Sequence, residues 1–220
     1  LGASALDDAA VARIFEVKGR PQDNPLIIHV CESRELEKWC VDVPDAAYSL
    51  AGRFWPGPLT MVLKRSQLVP DRVTAGMDTV AVRCPDHPAT LELIRLSGVP
   101  IAAPSANISG KPSPTSAGHV MHDIGGRIEA VLDGGECRVG LESTIIDLSV
   151  MPPRLLRPGG ISLEQLREQL GEVAVDAAVY RRLRDGEKPK APGMKYRHYA
   201  PEAAVTVVDG STERAARYIN

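Results

Sequence analysis

The densest chemical signal is the run Ala102-Ala-Pro-Ser-Ala-Asn-Ile-Ser-Gly-Lys-Pro-Ser-Pro-Thr115. Ser105, Asn107, Ser109 and Ser113 offer hydroxyl and amide groups at close spacing, and Gly110 lets the backbone come near a ligand. Ser113 followed by Pro114 has the form of a helix cap and a first-turn proline. Free N–H groups at such a helix start attract phosphate. The run is not a Walker A loop, because Ser105 stands where the first glycine belongs and Pro112 follows Lys111. On residue types alone it reads as an anion site or as a plain surface loop.

Three further segments carry usable groups. Lys18-Gly-Arg20-Pro-Gln-Asp-Asn24-Pro puts two cations around a glycine. Lys18 complements a helix C-terminus, whereas Arg20, past the helix, can aim a guanidinium into a cleft. In Thr79-Val-Ala-Val-Arg83, alternation puts Thr79, Ala81 and Arg83 on one strand face. There Arg83 is either a carboxylate clamp or an ordinary salt-bridge arginine. Gly140-Leu-Glu-Ser143-Thr and Arg154-Leu-Leu-Arg157-Pro-Gly-Gly160 set polar groups beside glycine-rich turns at strand ends. Glu142 reads as a structural ion pair in preference to a Mg²⁺ ligand. His29, inside an apolar strand, reads as a core histidine or a pocket contact. His119 and His122 lack an evident third ligand and read as exposed helix residues. No Ser-His-Asp or Cys-His set stands out, so covalent catalysis is not indicated. Cations, hydroxyls and backbone donors without a protein nucleophile suit a substrate that brings its own, as in phosphoryl or nucleotidyl transfer.

These residues need a scaffold, and the sequence patterns supply helices and strands in alternation. A helix capped at Asp7 or Asp8 runs to about Lys18. Strands are expected at 26–30, 59–64, 79–83, 100–103, 128–132 and 143–148. Helices are expected from Ser33 to about Cys40, from His87-Pro88 through Leu96, and from Ser113-Pro114. Another begins at the capping box Ser162-Leu-Glu-Gln165 and ends at Gly171. The expected fold class is α/β, with one domain over residues 1–172. A polar, proline-punctuated linker follows over 173–203. Residues 204–220 then read as a strand and a helix opening a second domain.

Bulk properties narrow the function classes. Hydrophobic residues make up 44% and charged residues 25% of the chain, as expected of a soluble globular protein. No run approaches the roughly 20 apolar residues of a membrane helix, and no secretion signal opens the sequence. Cys31, Cys40, Cys84 and Cys137 have irregular spacing without a CxxC pair. They read as reduced thiols of a cytoplasmic protein, and no protein metal site is expected. The net charge of −2 and an aromatic content of 4% argue against a general nucleic-acid coat.

Taken in order, six stretches resemble the YrdC family of threonylcarbamoyl-AMP synthases. They are Lys18-Gly-Arg20-Pro with Asn24-Pro, Phe54-Trp-Pro-Gly-Pro-Leu-Thr60, Thr79-Val-Ala-Val-Arg83, Pro104-Ser-Ala-Asn107 with Ser113-Pro-Thr115, Glu142-Ser-Thr-Ile145, and Arg157-Pro-Gly159. Ala191-Pro-Gly-Met-Lys-Tyr-Arg-His-Tyr-Ala-Pro201 is similar to the linker of the family's long, two-domain form.

The resemblance implies a twisted mixed sheet with flanking helices and an open cationic cavity. It also implies a linker that reaches back over the site and the start of a Rossmann-like domain. The implied reaction joins L-threonine, bicarbonate and ATP into threonylcarbamoyl-AMP and pyrophosphate, for N6-threonylcarbamoyladenosine in tRNA. Arg20, Asn24, Thr79, Ser105, Ser113 and Arg157 would hold ATP. Lys18 would add positive charge, making Lys18 and Arg20 the catalytic cations. His29, Arg83, Ala103 and Ser143 would surround threonine, with Arg83 facing its carboxylate. Tyr196 or His198 would close over the nucleotide, and Mg²⁺ would accompany ATP. The product would pass to a tRNA threonylcarbamoyl transferase, with a possible RNA contact. The family carries Pro-Thr-Glu-Thr-Val-Tyr-Gly just ahead of a Leu-Gly-Ala like the one that opens this sequence, and that strand with its threonine contacts is a point at which the sequence given departs from the family pattern. Two other functions compete: a non-catalytic RNA-binding module, and a carbamoyl transferase with another acceptor.

Overall fold

The computed structural model describes residues 1–180, 189, 191, 192, 194, 206 and 208–219. The expected Tyr196 and His198 lie outside the described residues. So does most of the 204–208 strand, of which only Thr206 and Val208 are described. Among the described residues, no helix is long and apolar enough to cross a membrane.

In chain order the elements are β1 (Ala3–Ser4), α1 (Asp8–Lys18), β2 (Ile27–His29), a 3₁₀ turn (Ser33–Glu35), α2 (Leu36–Trp39) and α3 (Asp45–Phe54). Next come β3 (Leu59–Lys64), α4 (Asp71–Thr74), β4 (Thr79–Arg83), α5 (Pro88–Ser97), β5 (Ile101–Ala102) and α6 (Ala117–Ile124). The remainder are β6 (Thr144–Asp147), β7 (Arg154–Arg157), α7 (Leu163–Leu170), β8 (Ala174–Val175), a second 3₁₀ turn (Ala177–Val179) and α8 (Thr212–Ile219). The strands form one mixed sheet in the order β1-β5-β2-β4-β3-β6-β7-β8. β2 and β4 run parallel, as do β3 and β6, while β3 and β4 are antiparallel. The pairing of β7 with β8 carries the sheet on to Val175.

Alternation along the strands divides the sheet into two faces. Ile28, Leu59, Met61, Leu63, Val80, Val82 and Ile146 join Val11, Ile14 and Phe15 of α1 and Leu50 of α3 in the main core. On the second face, Ile27, Val62, Ala81, Ile145 and Leu156 form a smaller apolar floor, against which Ala191 and Met194 pack. Ala191 and Met194 of the linker therefore lie on this second face.

Local rules account for the best-formed helix ends. Asp7 caps α1 by accepting from the Ala9 and Ala10 N–H groups at 3.0 Å. Gly19 ends α1 at φ 57, with Gly19 N–H on Glu16 O and Arg20 N–H on Phe15 O, a left-handed stop that favours glycine. Ser162 and Gln165 close the expected capping box of α7.

Two expectations fail. The helix after the serine-rich run starts at Ala117, with Ser116 and not Ser113 at its N-cap. Thr115 cannot enter it, because its carbonyl is held at 2.9 Å by the Cys137 N–H, and Ser113 turns its hydroxyl to Glu142. Residues 128–132 form no strand. They lack a sheet partner, and Leu132 is exposed. Apolar composition alone does not make a strand without a ladder to join.

Candidate active site

Glu142 lies just before β6. Its carboxylate pairs with Arg157 Nη1 at 2.6 Å and accepts from Ser113 Oγ at 3.2 Å. The ion-pair reading of Glu142 is thus the observed one. Arg157 also donates from Nη2 to the Ser143 carbonyl at 2.8 Å and to Ser143 Oγ at 3.1 Å, and from Nη1 to the Pro192 carbonyl at 3.3 Å. Ser143 Oγ lies 2.7 Å from Thr60 Oγ1, and both residues are buried. Thr60 stands opposite Arg83 in the β3–β4 register, and Arg83 stands opposite His29 in the β2–β4 register. A continuous polar path therefore joins Ser113, Glu142, Arg157, Ser143 and Thr60 and ends beside Arg83 and His29.

Close turns make this path possible. A Cβ on Gly159 would sit 2.4 Å from the Glu142 carbonyl and 2.5 Å from the Thr144 nitrogen. Only glycine lets the turn after β7 press against residues 142–144. Arg83 is held by its Nε, which donates to the Gly57 carbonyl at 3.0 Å. Burial, and then the nearby Arg157 charge, lower the Arg83 pKa. Burial, with Arg83 alongside, pulls the His29 imidazole down to about 3. The ring is therefore neutral near pH 7, and its buried Nδ1 makes no hydrogen bond.

A second cluster lies at the end of α1. Lys18 is buried, and its Nζ donates to the carbonyls of Ser105 and Asn107, each at 2.5 Å. Arg20 is buried too and donates to the carbonyls of Asn24 at 3.2 Å and Pro25 at 2.8 Å. Asn24 is buried, and its Oδ1 has no hydrogen-bond partner. Burial, and then the Arg20 charge, bring the Lys18 pKa down to about 8, while Glu142 acts in the opposite sense. Glu142 also favours the charged form of Arg83, so its field links the two clusters.

Among the described residues, each remaining expected one has a defined place. Ala103 is tied by its N–H to the Ile27 carbonyl at 3.0 Å. Ser105 is half-buried and lends its carbonyl to Lys18. Thr79 stands apart from Arg83, at the other end of β4 opposite Lys64, about 13 Å away at roughly 3.3 Å per residue. It lies on the side from which β2 is entered, after Arg20 and Asn24. Residue-type reasoning passed over Thr60, although alternation in Leu59–Lys64 sets it on the face opposite Leu59 and Met61. It also passed over the way Asn107 braces its own loop, with Nδ2 donating to the Ile108 and Lys111 carbonyls at 2.9 and 2.8 Å. His119 and His122 are exposed on α6.

Away from this site, Cys31, Glu32 and Glu35 bring possible metal-ligand atoms within 4.8 Å of one another. The Glu35 carboxylate there accepts from the Cys31 N–H at 2.8 Å, and Glu32 pairs with Arg34.

The chain is an α/β protein whose mixed sheet carries arginines and hydroxyls at its second face, with a buried lysine at the end of α1. The chain belongs to the Sua5/YciO/YrdC family. The model of that family, described as telomere recombination, matches residues 1–159, and that of the threonylcarbamoyl-AMP synthase C-terminal domain matches residues 161–219. The chain is 58% identical over 219 residues to the threonylcarbamoyl-AMP synthase of Pyrococcus abyssi (strain GE5 / Orsay), covering 100% of this chain and 64% of that protein. It is 52% identical over 221 residues to the threonylcarbamoyl-AMP synthase of Bacillus subtilis (strain 168), covering 100% of this chain and 63% of that protein. The crystal structure of P. abyssi Sua5 complexed with L-threonine matches it with a TM-score of 0.94 at 58% identity, over 99% of this chain and 64% of that one. The chain thus spans a little under two thirds of the length of these relatives.

Proposed function

We propose that this chain carries the synthase site of an L-threonylcarbamoyladenylate synthase acting in N6-threonylcarbamoyladenosine formation in tRNA. The observation that carries the reading is the joining of Ser113, Glu142, Arg157, Ser143 and Thr60 to the Arg83 end of the second sheet face. The name of the P. abyssi relative and the bound L-threonine of its Sua5 crystal structure support it.

In this reading the second face is the floor of an open cationic cavity. Arg83 meets the threonine carboxylate, and Ser143, Ala103 and neutral His29 surround the rest of the amino acid. Arg20, Asn24, Thr79, Ser105, Ser113 and Arg157 hold ATP. The threonine amine adds to CO₂ from bicarbonate and loses a proton, giving a carbamate. A carbamate oxygen then attacks the α-phosphorus of ATP as the bond to pyrophosphate breaks. Positioning and charge stabilisation by the arginines suffice, because the substrate supplies the nucleophile. Glu142 is engaged by Arg157 and Ser113 and is no open metal ligand. Mg²⁺ therefore enters with the ATP phosphates as part of the substrate. The linker closes the site through Tyr196 or His198, a reading supported by the packing of Ala191 and Met194 on the same face. A Rossmann-like domain begins after residue 203. The protein acts in the cytoplasm and passes its product to a tRNA threonylcarbamoyl transferase.

The test supplies the full-length protein with ATP, bicarbonate and single amino acids and measures pyrophosphate. Threonine-dependent release is expected. ATP turnover with carbamoyl phosphate but not threonine would assign a carbamoyl transferase with another acceptor. Tight, salt-sensitive RNA binding without turnover would assign an RNA-binding module.

A further inference from the structure

We propose that Lys18 acts as an internal tether that shapes the 105–109 loop for a nucleotide, and that it does not itself touch phosphate. The nucleotide half of this inference rests on the reading above; the tether half stands alone.

A lysine ammonium has three N–H donors and no acceptor. Among the described residues, all of the hydrogen bonds that Lys18 Nζ makes go to one loop: the Ser105 carbonyl at 2.5 Å, the Asn107 carbonyl at 2.5 Å and Asn107 Oδ1 at 3.4 Å. The link is reciprocal, since the Ser109 N–H donates to the Lys18 carbonyl at 2.9 Å. Lys18 is 1% exposed, so its ammonium does not face the solvent from which a nucleotide arrives. Its seat in the last turn of α1 also suits a cation, because unsatisfied carbonyls collect there.

The consequence for the loop follows from peptide geometry. In a trans peptide the N–H points opposite to the carbonyl of the same unit. Drawing the Ser105 carbonyl in toward Lys18 turns the Ala106 N–H away from it. Among the described residues that N–H has no partner, which leaves a backbone donor for an anion. The loop is also braced from α6, where Asp123 pairs with Lys111 at 2.9 Å. Positive charge is thus spent inside the protein, and what the ligand meets is an oriented loop carrying backbone donors and Ser105.

The discriminating experiment compares AMP, ADP and ATP binding to the full-length protein and to Lys18→Met, together with amide hydrogen exchange without nucleotide. The tether predicts that all three nucleotides weaken by a common factor of tenfold or more. It also predicts that exchange of the 105–109 amides speeds up at least tenfold while β4 and α7 stay protected. A loss that grows with phosphate number, or unchanged exchange in the loop, overturns it. If the variant does not fold, a nucleotide-bound crystal structure of the unaltered protein decides. Nζ still on the Ser105 and Asn107 carbonyls supports the tether, and Nζ within hydrogen-bond reach of a phosphate oxygen refutes it. Failure of the unaltered protein to bind any adenine nucleotide would count against the proposed function, while the exchange result would still decide the tether.

Discussion

On one face of the sheet, Leu59, Met61 and Leu63 of β3 and Val80 and Val82 of β4 are buried in the main core. On the other, Thr60 and Arg83 of the same two strands lie beside Ser143 and His29. The strands are identical and only the parity of the position differs. The core face contributes stability through the packing of buried apolar side chains. The second face keeps a narrow apolar floor of Ile27, Val62, Ala81 and Ile145 and sets polar groups around it. A period of two thus lets a six-residue strand hold the fold with one half of its side chains and present chemistry with the other.

Substitutions on matched positions test that division. The largest effect belongs to the core face. Met61→Ala should cost about 2–5 kcal/mol of stability through lost contacts and a residual cavity, read by chemical denaturation, with the threonine and ATP KM values of the folded fraction unchanged. A threonine KM that rises as far as the stability falls would dissolve the distinction between the faces. Next is Arg83→Ala, expected to raise the threonine KM by about 2–3 kcal/mol, close to a hundredfold, through the loss of charge-assisted hydrogen bonds. The ATP KM should move little, and equal effects on both substrates would remove Arg83 from the carboxylate. A smaller effect is expected of Thr60→Val, which preserves shape but takes away the hydroxyl that meets Ser143. Threonine KM should rise by about 1 kcal/mol, some fivefold, with recovery in Thr60→Ser. No recovery would mean that the methyl group, and not the hydroxyl, matters.

The smallest kinetic effect concerns His29. With its pKa pulled down to about 3, the ring stays neutral above pH 4, so the threonine KM should show no His29 inflection near 6.5. Its linkage to stability has a definite sign. Between pH 6.5 and 3 the unfolded chain takes up a proton that the folded chain refuses, so stability falls as pH falls through that window. Replacing His29 with Gln should flatten that acid limb in denaturation midpoints, and NMR of the ring should find it unprotonated at pH 5. A ring that titrates at 6.5 in the folded protein would mean that it is solvated and does not belong to the buried floor.

Local sequence determined a good part of this molecule. Asp7 and Gly19 bound α1, the Ser162–Gln165 box opens α7, and the alternating patterns of 59–64 and 79–83 became β3 and β4 with the same ends. Each signal is complete within a few residues, as caps and strand parity require. α3 was not legible, since it begins behind Pro44 without a side-chain cap and is fixed mainly by packing Ala47, Leu50 and Ala51 into the core. The start of α6 was misread for a related reason: the deciding bond, from Cys137 to Thr115, comes from a distant loop.

The site divides in the same way. Motif residues named Arg20, Arg83, Ser105, Ser143 and Arg157 as carriers of chemistry, because residue type and a neighbouring glycine or proline are local facts. Their partners are not local. Lys18 meets Asn107 across 89 residues of chain, Thr60 meets Ser143 across 83, and Ser113 meets Glu142 across 29. Such pairs are created by strand order and register, which bring β3 beside β6 and the end of α1 beneath the loop after β5. The sequence by itself could state which groups were available. Only tertiary structure decided that the buried ammonium faces carbonyls and that a carboxylate ties Ser113 to Arg157, because a hydrogen bond depends on distance and direction and not on separation along the chain.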